Sequence, residues 1–174
     1  MDEEFIKKQI RDVMDFPIKG IVFKDITTLL KNADALQSVV QELYERYKDK
    51  GITKVVGIES RGFVMASILA YKLKAGFVPI RKPGKLPALT WSESYDNEYG
   101  RDTIEIHQDA ISTDDVVLLH DDVLATGGTM LAAYRLLGHS APRCIYVNFL
   151  VELEALSGRK AFPSGLEVDS LIKC

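Results

Sequence analysis

The chain has 174 residues, with 22 basic against 25 acidic side chains and a formal net charge of −3. That length allows one domain with a substantial core. The slightly acidic balance excludes bulk attraction to nucleic acid or to an anionic membrane, so an anionic ligand must be held by local groups.

Phe5, Ile6, Ile10, Val13 and Met14 fall on one helical face and predict a helix over 3–14. Phe16-Pro17-Ile18-Lys19-Gly20 breaks it, and Ile21-Val22-Phe23 reads as a short extended piece. A second amphipathic helix is predicted over 34–50, carrying Leu36, Val39, Val40, Leu43 and Tyr47 and stopped by Gly51. A strand at 54–58, a turn at 59–62, a helix over 63–74 and a strand at 76–81 follow. Strands alternating with helices of this length imply a parallel sheet covered on both faces, with ligands bound beyond the strands' carboxyl ends. Residues 82–100 are long, polar and turn-rich, with Pro83, Gly84, Pro87, Asp96 and Asn97. With extended ends at 89–95 and 103–107 they read as a flexible β-ribbon, a candidate lid. Strands are expected at 116–119 and 143–151, a helix over 130–137, a short helix at 152–156, and a tail with some alternation at 162–174. Cys144 and Cys174 give neither a disulfide framework nor metal-ligand spacing, and Cys144, in an apolar run, reads as buried and inert. No apolar run approaches membrane-spanning length, and the acidic amino terminus has no apolar leader, so the cytoplasm is the expected location.

One stretch concentrates chemistry: Asp121-Asp122-Val123-Leu124-Ala125-Thr126-Gly127-Gly128-Thr129-Met130. It joins an apolar strand to a helix. Helix-start N–H groups lack intrahelical partners, and the helix dipole is positive there. Gly127 and Gly128 let an anion approach those groups, and Thr126 and Thr129 add hydroxyls, an arrangement that suits a phosphate. Two adjacent carboxylates at a strand's end repel and lose hydration unless hydroxyls or a cation meet them. A ribose 5-phosphate satisfies both halves. Either half alone reads as ordinary turn residues capping a helix. Fused between strand and helix, they read as a ligand seat.

The same stretch resembles the phosphoribosyl-diphosphate signature of the type I phosphoribosyltransferases. Further stretches are similar to the adenine phosphoribosyltransferase branch: Phe16-Pro17 with Gly20-Ile21-Val22-Phe23-Lys24-Asp25-Ile26, Gly57-Ile58-Glu59-Ser60-Arg61-Gly62-Phe63, Phe77 through Pro87, Glu98-Tyr99-Gly100, and Glu105-Ile106-His107. The resemblance implies an α/β fold: a parallel-sheet core at about 34–151, an N-terminal hood at about 1–30 joined by the C-terminal tail, and a lid at about 82–104, all in one domain. It implies transfer of the 5-phosphoribosyl group from phosphoribosyl diphosphate to adenine, giving AMP and diphosphate, with Mg2+ carried on the substrate near Asp121 and Asp122 rather than held directly by the protein. It also implies a homodimer, with Lys82 or Lys85 serving the neighbouring subunit's site.

Carried onto these positions, the resemblance makes Ala125, Thr126, Gly127, Gly128 and Thr129 the phosphate anchor and Asp121 and Asp122 the grip on the ribose hydroxyls. Ser60, Arg61, Lys82 and Lys85 become the diphosphate clamp, Arg61 as a bidentate fork and the lysines as point charges. For Arg81, Lys82 and Lys85 the competing reading is a solvated basic loop. Val22, Phe23 and Lys24 would read adenine, through backbone C=O and N–H with Phe23 stacking; Phe23 reads equally as ordinary core. Glu98, on the lid with Tyr99, would handle the proton, because the position occupied by a base-contacting aspartate in 6-oxopurine enzymes is Ala125 here. His120 departs from the family's usual apolar residue; it either gains charge beside the acids or, as strand alternation favours, is a hydrogen-bonded core side chain. The rival functions are a 6-oxopurine phosphoribosyltransferase and a noncatalytic sensor of phosphoribosyl diphosphate, which would need a nucleic-acid-binding module that the chain has no length to hold.

Overall fold

The computed structural model describes residues 1–97 and 100–174. Glu98 and Tyr99, expected to act from the lid, lie outside the described residues. The chain divides into two compact units, 1–46 and 47–174.

The first unit opens with α1 (Glu3–Lys8). Asp2 caps it by accepting the Phe5 N–H at 3.1 Å, and acids in the first turn and lysines in the last suit the helix dipole. The helix stops there, not at Met14 as its periodicity predicts. Arg11–Met14 is β1, paired antiparallel with β2 (Val22–Asp25). Here cross-strand partners override helical spacing. Arg11 meets Asp25 at 2.5 Å and Lys24 meets Asp12 at 2.7 Å, in a hairpin turned through left-handed Asp15 and Gly20. Arg11, then Thr27, hold the Asp25 carboxyl down to about 2. The Thr27 N–H on that carboxylate starts α2 (Thr27–Leu30), a single turn that the apolar pattern does not reveal. Asn32 then accepts the N–H groups of Asp34 and Ala35, both at 3.1 Å, at the start of α3 (Ala33–Tyr47). That helix ends three residues before the predicted boundary.

The second unit contains β3 (Lys54–Ile58), α4 (Arg61–Leu73), β4 (Gly76–Ile80), β5 (Thr90–Asn97), β6 (Gly100–His107), β7 (Val116–Leu124), α5 (Gly128–Gly138), β8 (Cys144–Glu152), 3-10 turns at Glu154–Leu156 and Gly158–Ala161, and β9 (Val168–Lys173). Five strands form a parallel sheet in the order β4-β3-β7-β8-β9, as the βα alternation predicts. The expected tail is thus the fifth sheet strand, and the sheet continues beyond residue 151. Val56, Ile58, Val117, Leu119, Val147 and Phe149 share one buried cluster with Met130, Ala133, Leu136 and Leu137 of α5 and Ile104 and Ile106 of β6. On the other face α4 packs so closely that a Cβ on Gly57 would stand 2.8 Å from that of Ala66. β5 and β6 form the expected antiparallel ribbon, tied to the sheet where Arg81 and Glu105 exchange backbone hydrogen bonds at 2.9 and 2.7 Å. Cys144 is half-buried rather than buried, and Cys174 is exposed. No helix among the described residues is long and apolar enough to cross a membrane.

Candidate active site

β7 runs through both acids to Leu124, longer than the four-residue apolar run that leads into it. Its pairing with β3 ends at Gly57 opposite His120, while its pairing with β8 continues to Leu124 opposite Glu152. One edge of β7 is therefore open where Asp121 and Asp122 emerge, and the start of α4 fills that space. A Cβ on Gly62 would lie 2.8 Å from Asp121 Oδ1 and 3.2 Å from the His120 carbonyl oxygen. Only a residue without a side chain lets α4 come so near the acids. Arg61 follows from that approach: its Nε lies 2.8 Å from Asp122 Oδ2. Asp121 Oδ1 accepts the Asp122 N–H at 2.9 Å.

Both carboxyls are shifted above the usual carboxylate range. Burial and then the charge of Asp122 push Asp121 well up. Burial raises Asp122 while Arg61 offsets part of the rise. Two carboxylates so placed call for hydroxyl donors or a cation. Among the described residues no group of three or more His, Cys, Asp or Glu side chains is arranged to hold a metal ion.

After β7 the chain turns through Gly127, at φ +87°, into α5, whose first turn no side chain caps. Asp121, Ala125, Thr126, Gly127, Gly128 and Thr129 line a pocket of about 60 Å³, with Phe149 also in its wall. The ribbon packs against this turn: a Cβ on Gly128 would stand 3.1 Å from the Asp96 carbonyl oxygen.

The structure brings Arg61, Asp121, Asp122 and the 125–129 turn together. Ser60 is exposed at the start of α4 and makes no capping hydrogen bond. Lys82 pairs through its ammonium with Asp102 of β6, and Lys85 is exposed. Val22, Phe23 and Lys24 belong to the first unit. There Val22 is exposed, Phe23 is half-buried with its ring edge-on to Phe16 at 5.1 Å, and Lys24 is paired with Asp12.

Four partners escape a reading of the sequence. Glu59 takes Arg81 through both oxygens at 3.1 and 3.2 Å and the Lys82 N–H at 3.0 Å. Those Arg81 bonds, then the Lys82 N–H, hold its carboxyl below the usual range. Asp102, on the ribbon, takes both the Lys82 ammonium and the Tyr95 hydroxyl, and Gly62 admits α4. Glu59 and Gly62 lie inside a stretch that resembles the family, which is the only signal for them; the ribbon contacts leave none. His120 takes the core reading. It is fully buried, its Nδ1 lies 2.8 Å from Asn148 Oδ1 across to β8, and burial lowers its pKa to about 4, so it is neutral.

The phosphoribosyl transferase domain family matches residues 24–162. An adenine phosphoribosyltransferase of Bacteroides fragilis is 60% identical over 169 residues, 97% of this chain and 95% of that protein. The crystal structure of adenine phosphoribosyltransferase from Rhodothermus marinus superposes with a TM-score of 0.93 at 50% identity, covering 98% of this chain and 97% of that one. The enzyme from Giardia lamblia complexed with 9-deazaadenine gives 0.95 at 45% identity, covering 100% and 98%. The chain belongs to the adenine phosphoribosyltransferase family of the type I phosphoribosyltransferases.

Proposed function

We propose that the chain transfers the 5-phosphoribosyl group of phosphoribosyl diphosphate to adenine, releasing AMP and diphosphate in purine salvage. One observation carries the reading: Asp121, its carboxyl raised by burial and by the charge of the adjacent, likewise buried Asp122, lines one pocket with the uncapped helix start at 125–129. A phosphate beside a diol fits both features.

As the bond from ribose to diphosphate breaks, positive charge grows on the sugar ring and negative charge on the leaving group. Main-chain N–H groups of Ala125, Thr126, Gly127, Gly128 and Thr129 seat the 5-phosphate at the helix start. Asp121 and Asp122 accept the ribose hydroxyls, and their charge favours the cationic ring. Arg61 swings its guanidinium between Asp122 and the diphosphate, with Ser60, Lys82 and Lys85 completing the clamp; Lys82 must exchange Asp102 for the ligand. Magnesium suits oxygen ligands and keeps waters, and when bound on the diphosphate it neutralises leaving-group charge. The residues would fit that role, since burial raises both Asp121 and Asp122 and a nearby cation would favour their charged forms. Val22, Phe23 and Lys24 read adenine, and Glu98 handles the proton of its imidazole with Tyr99 serving beside it as a lid residue. The working form is a cytoplasmic homodimer.

The experiment is AMP formation from phosphoribosyl diphosphate and magnesium with adenine, hypoxanthine, guanine or xanthine supplied singly. Adenine alone should give product at high efficiency. A preference for a 6-oxopurine, or DNA binding without nucleotide formation, would overturn the reading.

A further inference from the structure

Behind the pocket lies a segment with no part in the chemistry above. Gly158 begins the 3-10 turn Gly158–Ala161, which rests against the pocket's own glycine turn. A Cβ on Gly127 would stand 2.6 Å from the Gly158 carbonyl oxygen and 3.0 Å from Ala161 Cβ. A Cβ on Gly158 would run into the Ala125 carbonyl oxygen and the Leu124 side chain. The two backbones touch with no room for a methyl group on either side.

The next residue fixes this contact. Arg159 takes both oxygens of Glu152, Nε to Oε1 at 2.6 Å and Nη2 to Oε2 at 2.7 Å. It also donates to the Val168 carbonyl at 2.5 Å and to Ser170 Oγ at 2.9 Å, and the Ser170 hydroxyl itself donates to Glu152. Glu152 is buried at the end of β8, in register with Leu124, the last residue of β7. The Leu153 N–H then donates to the Leu124 carbonyl at 2.9 Å. The fork therefore ties Glu152, at the end of β8, and Val168 and Ser170 of β9 to the 3-10 turn behind Gly127.

A phosphate seat made of main-chain amides has no flexible side chain with which to correct its aim. Its affinity depends on whatever fixes the backbone. We propose that Arg159, acting through Glu152 and Gly158, is a positioning residue for the 5-phosphate seat. It never touches the ligand; it holds the wall against which residues 125–128 are shaped. The inference rests on the reading of the 125–129 turn as that seat.

The test compares Gly158→Ala, Arg159→Lys and Thr126→Asp, measuring KM for each substrate, ribose 5-phosphate affinity by calorimetry, and thermal unfolding. Arg159→Lys keeps the charge and loses the fork. A shift of about 1 Å at such a site costs up to roughly 100-fold. Gly158→Ala should therefore raise KM for phosphoribosyl diphosphate about tenfold and weaken ribose 5-phosphate to match, with KM for adenine within about twofold. Arg159→Lys should do the same about threefold, and it decides the matter where Gly158→Ala does not fold. An unchanged KM for phosphoribosyl diphosphate, or both KM values rising in parallel, overturns the proposal. Thr126→Asp puts a carboxylate into the seat and should abolish ribose 5-phosphate binding. Unaltered binding in Thr126→Asp overturns the seat and the inference with it. Lost binding there, with wild-type binding in the other two variants, overturns the inference alone.

Discussion

His120 provides a test in which the structure sets both sign and size. Its ordinary pKa is 6.5, and burial lowers it to about 4. Above 6.5 the imidazole is neutral in the folded and unfolded chain alike, so its proton contributes nothing to the difference. As pH falls through 6.5 the unfolded chain takes up a proton that the folded chain refuses until about 4. Stability is present above 6.5 and is lost across that window. A pH of about 5 lies roughly 1.5 units below the imidazole's ordinary value of 6.5, which at ~1.36 kcal/mol per unit amounts to about 2 kcal/mol. His120→Val removes this titration. It also leaves Asn148 Oδ1 without its 2.8 Å partner, a cost of roughly 1–3 kcal/mol that does not depend on pH. Urea unfolding of both proteins from about pH 7.5 down to about pH 5 separates the two effects. The wild type should begin as the more stable protein, and its advantage should shrink by about 2 kcal/mol on acidification. A constant offset over that range would mean that His120 takes up its proton in the folded state, and the neutral-core account would be wrong.

Three further outcomes follow from the site. Gly62→Ala places a methyl group against Asp121 Oδ1 and should raise KM for phosphoribosyl diphosphate about tenfold with KM for adenine little changed; equal kinetics would show that α4 yields easily. Glu59→Gln loses charge-assisted bonds to Arg81 and the Lys82 N–H. With both side chains partly exposed, it should cost about 1 kcal/mol near neutral pH, measured by urea unfolding. Because the carboxyl is held below its ordinary 4.5, that contribution is present above 4.5 and should fade as pH falls below it; a variant as stable as wild type at neutral pH removes Glu59 as the anchor of this loop. Glu98→Ala should lower turnover while ribose 5-phosphate affinity is preserved, and unchanged steady-state turnover would take Glu98 out of the proton step.

Much of the second unit is legible in the sequence because local signals agree with the fold. The 54–58 strand, the α4 pattern and the apolar approach to Asp121 each carry the period of their element. The pocket is legible for a related reason: carboxylates, glycines and threonines lie within ten consecutive residues. Met14 shows where such reading stops. Its spacing from Phe5, Ile6 and Ile10 is helical, yet it pairs with Val22 across a hairpin. The closing strand at 168–173 is hidden in the same way, since its position depends on β8 rather than on its own alternation. The residues that brace the site are held by long-range bonds. Glu59 and Arg81 are 22 positions apart, and Lys82 and Asp102 are 20. No local pattern joins such partners. Gly62 and Gly158 are plain glycines until another backbone is seen against them.

The central claim is that the turn after β7 seats a sugar phosphate while the two acids before it hold the sugar's hydroxyls. A crystal structure with AMP tests this most directly. The account predicts the 5-phosphate within hydrogen-bonding distance of the main-chain N–H groups of residues 125–129, and the ribose hydroxyls on Asp121 and Asp122. Nucleotide bound elsewhere in crystals that leave this pocket empty would contradict it.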